Sequence, residues 1–224
     1  MASEADDGSP VGELLSTIAS LREHCPWMGA LTHASLVEYL LEEAYEVAET
    51  IEARHPDAEL LGELGDVLLQ VVLHARLAEE RGAFRFDDVA RGLRAKMVRR
   101  NPHVFRPDGS LQEAFPATVT EIVEKWDAVK RAERPERRDP FEGIPQALPA
   151  LARAQKSIDR AARAGCRESR PPVEAGPFAS EDELGELLLA VVYSAHGSGL
   201  DAERALRGAV RRYQEQAPPP AAPG

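Results

Sequence analysis

The sequence predicts an all-α protein, and three observations carry this prediction. Apolar residues recur at the three- and four-residue spacing of helices along most of the chain. Strand signals are scarce, and aromatic residues make up only 5% of the composition. One region, residues 36–81, reads as two consecutive helices with a short break, and both carry acidic residues. We therefore expect a helical bundle organised around this pair.

The first acidic helix has one apolar and one acidic stripe. At about 100° per residue, Leu36, Leu40, Ala44, Val47 and Ile51 form the apolar stripe, and Glu38, Glu42, Glu46 and Glu49 lie opposite. Glu43 falls near the edge of the apolar face. Thr32 to Ser35 offers caps for its start, Pro56 ends it, and Asp57 is expected to cap the next helix. By itself, such an acidic stripe is typical of a solvated face.

The second helix, about residues 58–81, changes that interpretation. Apolar residues cover most of its circumference, which is typical of a buried helix. Glu63 and Asp66 nevertheless lie inside the apolar run, three residues apart and on nearly the same side. Buried carboxylates need partners or a cation, and His74 is the one basic residue between positions 58 and 75. Carboxylates from both helices therefore predict a site for Mg²⁺ or Mn²⁺, since oxygen ligands suit hard cations.

Basic and aromatic residues follow in two further predicted helices. The first runs from Phe86 to about Arg100, with Asp87 or Asp88 as its cap, and carries Lys96, Arg99 and Arg100. These cations either favour the helix dipole or clamp phosphate oxygens beside the acidic site. The second covers residues 119–133, with Trp126 and Lys130 on one face. Trp27, in a loop predicted over residues 24–27, is either a core plug or a surface on which a base stacks.

Composition limits the classes of partner. The formal net charge of −11 argues against nucleic acid as the main partner. The two cysteines, Cys25 and Cys166, show no metal-binding spacing and favour a reducing compartment. The acidic start of the chain does not resemble a signal peptide, and the longest apolar run, residues 187–195, is too short to span a bilayer. We expect a cytoplasmic protein that does not bind a membrane.

The second half of the chain contains a partial repeat of the first. Residues 183–189 repeat the pattern of residues 63–69, with Glu183 and Glu186 in the places of Glu63 and Asp66, but no counterpart of the first acidic helix precedes them. We expect a disordered start at residues 1–10, a catalytic domain at 11–135, a linker at 136–146, a degenerate helical half at 147–216 and a disordered tail at 217–224.

Taken together, these motifs resemble the MazG family of nucleoside triphosphate pyrophosphohydrolases. The family pattern stands here as Glu42-Glu43-x-x-Glu46 followed by Glu63-x-x-Asp66. The resemblance extends from about residue 14 to residue 156 and includes Cys25-Pro26-Trp27, Thr32-His33, Tyr45-Glu46, residues 96–105, Trp126 with Lys130, and three short runs within residues 144–156. Met28 stands where the family usually has an acid, which leaves the role of that acid open.

The resemblance implies a dimeric all-α enzyme, with sites near the subunit interface, that cleaves a nucleoside triphosphate into a monophosphate and pyrophosphate with Mg²⁺. It implies Glu43, Glu46, Glu63 and Asp66 as metal ligands and Glu42 as a further ligand or as the base that orients water. Lys96, Arg99 and Arg100 would hold phosphate oxygens, while Trp126 and Lys130 would bind nucleotide. A role in clearing non-standard or excess triphosphates would fit.

Three alternatives remain open from the sequence. The same fold could act on a narrow substrate such as dUTP, dCTP or phosphoribosyl-ATP. A non-catalytic protein that binds a nucleotide or a partner is the second alternative. A purely structural bundle is the third, and it leaves Glu63 and Asp66 unexplained.

Overall fold

The computed structural model describes residues 8–115, 118–133, 139–165 and 178–216, and the regular structure in these ranges is helical apart from one isolated bridge between Phe105 and Leu111. The all-α prediction is confirmed. The helices of the described residues are α1 (Pro10–His24), α2 (Pro26–Ala30), α3 (Val37–Ala53), α4 (Asp57–Glu80), α5 (Phe86–Arg100), α6 (Val119–Ala132), α7 (Ala150–Arg163), α8 (Glu181–Gly197) and α9 (Ala202–Gln216). Within the described ranges, no helix combines the length and apolarity that crossing a membrane requires.

The chain forms two compact units, Met1–Lys130 and Arg131–Gly224. The predicted linker at 136–146 and the predicted degenerate half stay predictions. The structure does not describe residues 1–7 and 217–224, which belong to the predicted disordered ends. Residues 136–138 of the predicted linker also lie outside the described residues. Helix α1 begins at Pro10, because the side chain of Ser9 accepts a hydrogen bond from Gly12 N and proline suits a first helical position.

The core of the first unit lies where α1 and α2 pack near the start of α3 and the middle of α4. Its buried members are Ile18, Met28, Leu36, Val72 and Leu73. Met28 is therefore a core residue of the first unit. The core packs against α4 on the C-terminal side of Glu63 and Asp66, so the acidic end of α4 extends beyond it.

Two polar contacts tie neighbouring segments to α4. The guanidinium of Arg22 donates to Glu80 at 2.7 Å and also to the carbonyls of Met28 and Leu31, so α1, the end of α2 and α4 are joined at one side chain. His33 and His74 stack with ring centroids 5.1 Å apart, and their Nδ1 atoms lie 2.8 Å apart. The segment before α3 is thereby held against α4.

The predicted burial of α4 is wrong for the single chain. Its buried residues are Gln70, Val72, Leu73, Ala75 and Ala78, all in its C-terminal two thirds. On the other faces Leu61 is 75% exposed and Leu64 is 51% exposed. As a result Glu63 is only partly buried and Asp66 is exposed, because the neighbouring helices of the chain cover one side of α4.

Several local predictions also differ from the structure. Residues 26–30 form the short helix α2 rather than a loop, and Trp27 is 65% exposed, so it is not a core plug. Pro56 is the N-cap of α4 and Asp57 is already helical. Thr32 and Ser35 bond each other rather than capping α3, whose N-cap is Leu36.

The predicted start of α5 is right in position, but its cap differs. The N-cap is Arg85, and Asp88 accepts a hydrogen bond from its backbone N–H at 2.9 Å. Gly82, with a φ of 71°, follows the end of α4 in the left-handed conformation that commonly ends a helix.

The second unit is built from α7, α8 and α9 around Ile158, Val192 and Ala202. His196 Nε2 and Asp159 Oδ1, 2.7 Å apart, join α8 to α7. Gln155 binds both the carbonyl of Leu200 and the amide of Ala202, which fixes the α8–α9 connection to α7.

Candidate metal centre

Helices α3 and α4 bring acidic side chains together across their contact. They pack side by side and are joined by the short turn at residues 54–56. Oxygen atoms of Glu43, Glu63 and Asp66 all lie within 4.8 Å of one another. Within the ranges that the structure describes, this is the one grouping of three potential metal-ligating side chains of that compactness. The predicted convergence of the two helices is therefore present in the structure.

Glu46 lies between the acids of the two helices. Its carboxyl group acts on both Glu43 and Glu63 and contributes to the raised pKa of each. Glu43 and Glu46 are one helical turn apart, as are Glu63 and Asp66, so each helix contributes a pair from one face. Glu42 is exposed and acts on Glu43 by its charge, but it lies outside the compact group.

Proximity of the carboxyl groups changes their acidity. Desolvation by burial raises the pKa of Glu43, and the charges of Asp66 and Glu46 raise it further. Desolvation likewise raises the pKa of Glu63, followed by the charges of Glu46, Asp66 and Glu59. The side chains that shift these two pKa values are all acidic, so the cluster holds negative charge that protonation or a cation would offset.

The donor set fits a hard divalent cation. Carboxylate oxygens are the ligands that Mg²⁺ and Mn²⁺ prefer, and opposite ligands of an octahedral Mg²⁺ are about 4.2 Å apart. Adjacent ligands of the same ion are about 3.0 Å apart, so oxygens that lie within 4.8 Å of one another would move closer together to bind one ion. Glu43, Glu63 and Asp66 would hold it, and Glu46 is placed to join them.

The prediction from sequence missed Glu59. It lies one turn before Glu63 on α4, and its charge contributes to the raised pKa of Glu63. Oε2 of Glu59 is 2.8 Å from Nδ1 of His55, in the turn between α3 and α4. The i, i+4 spacing of Glu59 and Glu63 was the available signal.

The predicted phosphate-binding residues lie on α5. Lys96 and Arg100 are partly buried, whereas Arg99 is exposed. The guanidinium carbon of Arg100 lies 5.6 Å from the ring centroid of Trp126, in cation–π geometry. The side chain of Lys130 falls outside the described residues.

Helix lengths relate α5 to the acidic cluster. Helices α4 and α5 contact each other and are joined by a turn at residues 81–85. Asp66 and Arg100 each lie about 21 Å along their helices from that turn, at 1.5 Å per residue. An antiparallel pair would therefore place Arg100 at the level of Asp66.

The repeat in the second unit serves a different purpose. Glu183, the counterpart of Glu63, lies in the first turn of α8 and accepts a hydrogen bond from the backbone N–H of Ala179 at 2.8 Å. Ser180 accepts in return from the N–H of Glu183. Glu183 thus stabilises the start of α8 by accepting a hydrogen bond from the residue before the N-cap Ser180.

The fold and the site define a class: an all-α protein in which two neighbouring helices form a compact carboxylate centre suited to a divalent cation, and the next helix along the chain carries basic residues. Comparisons with known proteins give the family. A profile of the MazG nucleotide pyrophosphohydrolase domain matches residues 31–105, which include both acidic helices and α5.

Three relatives show how far the similarity extends. The chain is similar to the nucleoside triphosphate pyrophosphohydrolase of Escherichia coli strain K12, at 35% identity over 92% of this chain and 85% of the relative. It is similar to the nucleoside triphosphate pyrophosphohydrolase/pyrophosphatase MazG of Thermotoga maritima, at 34% identity over 91% and 82%. It is also similar to the nucleoside triphosphate pyrophosphohydrolase of Mycobacterium tuberculosis, at 36% identity over 73% of this chain and 48% of the relative. The chain belongs to the MazG family.

Proposed function

We propose that the protein hydrolyses nucleoside triphosphates to nucleoside monophosphate and pyrophosphate, using a divalent cation held by Glu43, Glu46, Glu63 and Asp66. The observation that carries the proposal is the convergence of carboxylates from α3 and α4. Relatives that match most of this chain are named for the same reaction. Mg²⁺ is the proposed cation, with Mn²⁺ as an effective substitute.

A bound cation would neutralise charge on the phosphate oxygens and lower the pKa of bound water. The other steps belong to side chains of this chain. Glu42 is exposed at the margin of the cluster, where it can orient the attacking water and accept its proton. The oxygen of the water forms a bond to the α-phosphorus as the bond from that atom to the α,β-bridging oxygen breaks, so pyrophosphate leaves with the bridging oxygen and the monophosphate keeps the oxygen of the water.

Helix α5 and Trp126 would hold the rest of the substrate. Lys96 and Arg100, four residues apart, present two cations from one helical face to phosphate oxygens. Stacking on Trp126 restrains the guanidinium of Arg100 and so reduces the entropy lost when it binds phosphate. Arg99 and Lys130 are proposed as further contacts of the nucleotide.

The exposed faces of α4 support the proposal that the protein is a homodimer. Leu64, Leu68 and Val71 form an uncovered stripe on α4, and their counterparts Leu184, Leu188 and Val191 form the same stripe on α8. Monomeric proteins rarely leave long apolar stripes in water. A second copy packed on α4 would bury its apolar surface and restrict the access of water to Glu63, which lies beside Leu64.

Product analysis tests the reaction. The purified protein is incubated with Mg²⁺ and each common ribo- and deoxyribonucleoside triphosphate, beside dUTP and phosphoribosyl-ATP, and the products are separated by ion-exchange chromatography. We expect monophosphate and pyrophosphate from the wild type, and none from Glu46→Ala or Asp66→Ala. Glu183→Ala, which removes an acid from the repeated motif in the second unit, should retain turnover.

The other outcomes separate the alternatives. Diphosphate and phosphate as products would mean that a different bond is cleaved. Turnover of one substrate alone would define a narrow specificity. Nucleotide binding without turnover would support the non-catalytic alternative, and full activity of Asp66→Ala would refute the assignment of the site.

A further inference from the structure

The turn between α3 and α4 holds a histidine–glutamate pair one helical turn before Glu63. Nδ1 of His55 lies 2.8 Å from Oε2 of Glu59, and both side chains are substantially exposed. Surface pairs of this kind contribute little to stability. Its position is more informative than its strength, because Glu59 lies one turn before Glu63 on the same face of α4.

Hydrogen bonds hold the backbone around His55 in place. Arg54 adopts the left-handed conformation with a φ of 58°, which turns the chain out of α3. The N–H of His55 then donates to the carbonyl of the buried Thr50 at 3.0 Å. Pro56 follows and starts α4, and its carbonyl accepts from the N–H of Glu59 at 2.9 Å. The imidazole is therefore carried on a short segment anchored to both helices.

This anchored imidazole determines where the carboxylate of Glu59 points. Cβ atoms at i, i+4 positions are about 5–6 Å apart, so Glu59 is next to Glu63, whereas Asp66 lies about two turns, or about 10.5 Å, further along α4. Repulsion from Glu63 would otherwise turn a free Glu59 side chain out into solvent. The bond to His55 holds one oxygen of Glu59 at the turn. In this position Glu59 is close enough to Glu63 for its charge to contribute to the raised pKa of Glu63.

We propose that Glu59, held by His55, is a positioning residue of the cation centre, and that it accepts a hydrogen bond from a water bound to the cation. This inference rests on the proposed function, since it assumes a cation between α3 and α4. Mg²⁺ retains several of its waters in protein sites, and those waters need acceptors. Side chains that hydrogen-bond to the ligands of a metal without touching the metal change its affinity by about 10- to 100-fold in enclosed sites. For an exposed carboxylate we expect a smaller effect, about three- to tenfold.

The first test measures cation binding directly. Binding of Mn²⁺ to the purified full-length protein is followed by the loss of the free-ion signal in electron paramagnetic resonance, without nucleotide. Glu59→Gln is expected to raise the dissociation constant about three- to tenfold. Glu38→Gln, which removes one exposed acid from the first turn of α3, is the matched control for net charge and is expected to leave it unchanged. Equal affinities of Glu59→Gln and Glu38→Gln would overturn the inference.

The second test separates the positioning role from the charge of Glu59. His55→Ala releases the carboxylate and is expected to weaken Mn²⁺ binding by a similar factor. His55→Asn, whose side-chain nitrogen can occupy the place of Nδ1, is expected to restore most of the affinity. Unchanged affinity in His55→Ala would show that the imidazole does not position Glu59 and would overturn that part of the inference.

Failure of this inference and failure of the proposed function give different results. If the wild type binds Mn²⁺, if Asp66→Ala abolishes the binding and if Glu59→Gln has no effect, only the inference about Glu59 is refuted. If the wild type binds no Mn²⁺, the cation centre itself is refuted, and the inference with it.

Discussion

Replacing Glu43 by glutamine should stabilise the protein without metal and destabilise it relative to the wild type with metal. Glu43 has carboxylate oxygens of Glu63 and Asp66 within 4.8 Å. At that distance two like charges repel by about 0.9 kcal/mol in the dielectric of bulk water and by about 3.5 kcal/mol at an effective dielectric of 20. Because the cluster is partly exposed to solvent and salt, we expect the smaller part of this range: Glu43→Gln should raise the free energy of unfolding by about 1 kcal/mol at low ionic strength.

The pH dependence of this gain has a defined sign. The pKa of Glu43 is raised in the folded protein, so the unfolded chain releases this proton at a lower pH than the folded one. The cost of the wild-type carboxylate therefore grows as the pH rises through the folded pKa and is absent well below 4.5. Glu43→Gln should match the wild type at pH 4 and exceed it at pH 8.

Thermal unfolding with and without Mg²⁺ tests both halves of the prediction. Without metal at pH 8, the melting temperature of Glu43→Gln should be about 2–4 °C higher than that of the wild type. At a Mg²⁺ concentration a hundred times the dissociation constant, the wild type should gain about 2.7 kcal/mol and the variant much less, so the order reverses. Glu38→Gln serves as the control for net charge. A variant less stable than the wild type in the absence of metal at pH 8 would refute the argument from repulsion.

Three further predictions concern other contacts of the first unit. Burial lowers the pKa of His74, and the charge of His33 lowers it further. The free energy of unfolding should therefore fall as the pH drops below 6.5, and urea unfolding should show a smaller fall for His74→Gln. The hydrogen bond from Arg22 lowers the pKa of Glu80, so the contribution of this ion pair to stability should be lost as the pH falls below 4.5. Arg22→Ala should lower the free energy of unfolding by about 2 kcal/mol at pH 7, measured by urea unfolding. Leu68→Glu should convert the proposed dimer to a monomer, measured by light scattering after size exclusion.

Each of these predictions has an outcome that contradicts it. A slope for His74→Gln equal to that of the wild type between pH 8 and 5.5 would assign the pH dependence to other groups. Unchanged stability of Arg22→Ala would mean that its three contacts contribute nothing net. An unchanged mass of Leu68→Glu would place the dimer interface on another surface, and a monomeric wild type would refute the dimer.

Much of the local structure follows from residue spacing alone. The boundaries of α4 and α5 lie within one residue of their predicted positions, because apolar periodicity and the left-handed Gly82 define them locally. The pairing of acids from the two helices was also predictable, since unpartnered carboxylates inside an apolar helix need a cation. The sequence did not predict how exposed the side chains of these acids are. Trp27 and the Glu63 face of α4 are uncovered because burial depends on which distant helices pack there.

The sequence by itself determined the helical class, the order of the helices and the five acids proposed to form the centre, because each depends on residues a few positions apart. Only the tertiary structure decided which carboxylates converge. The bond of Glu59 to His55 and that of Glu183 to the start of α8 join residues four positions apart, but they were not predicted from the sequence. The reason is physical: periodicity defines a face of one helix, whereas the distance between two faces depends on how the helices pack. The same pattern of residues therefore contributes to a proposed cation centre in α4 and to a helix cap in α8.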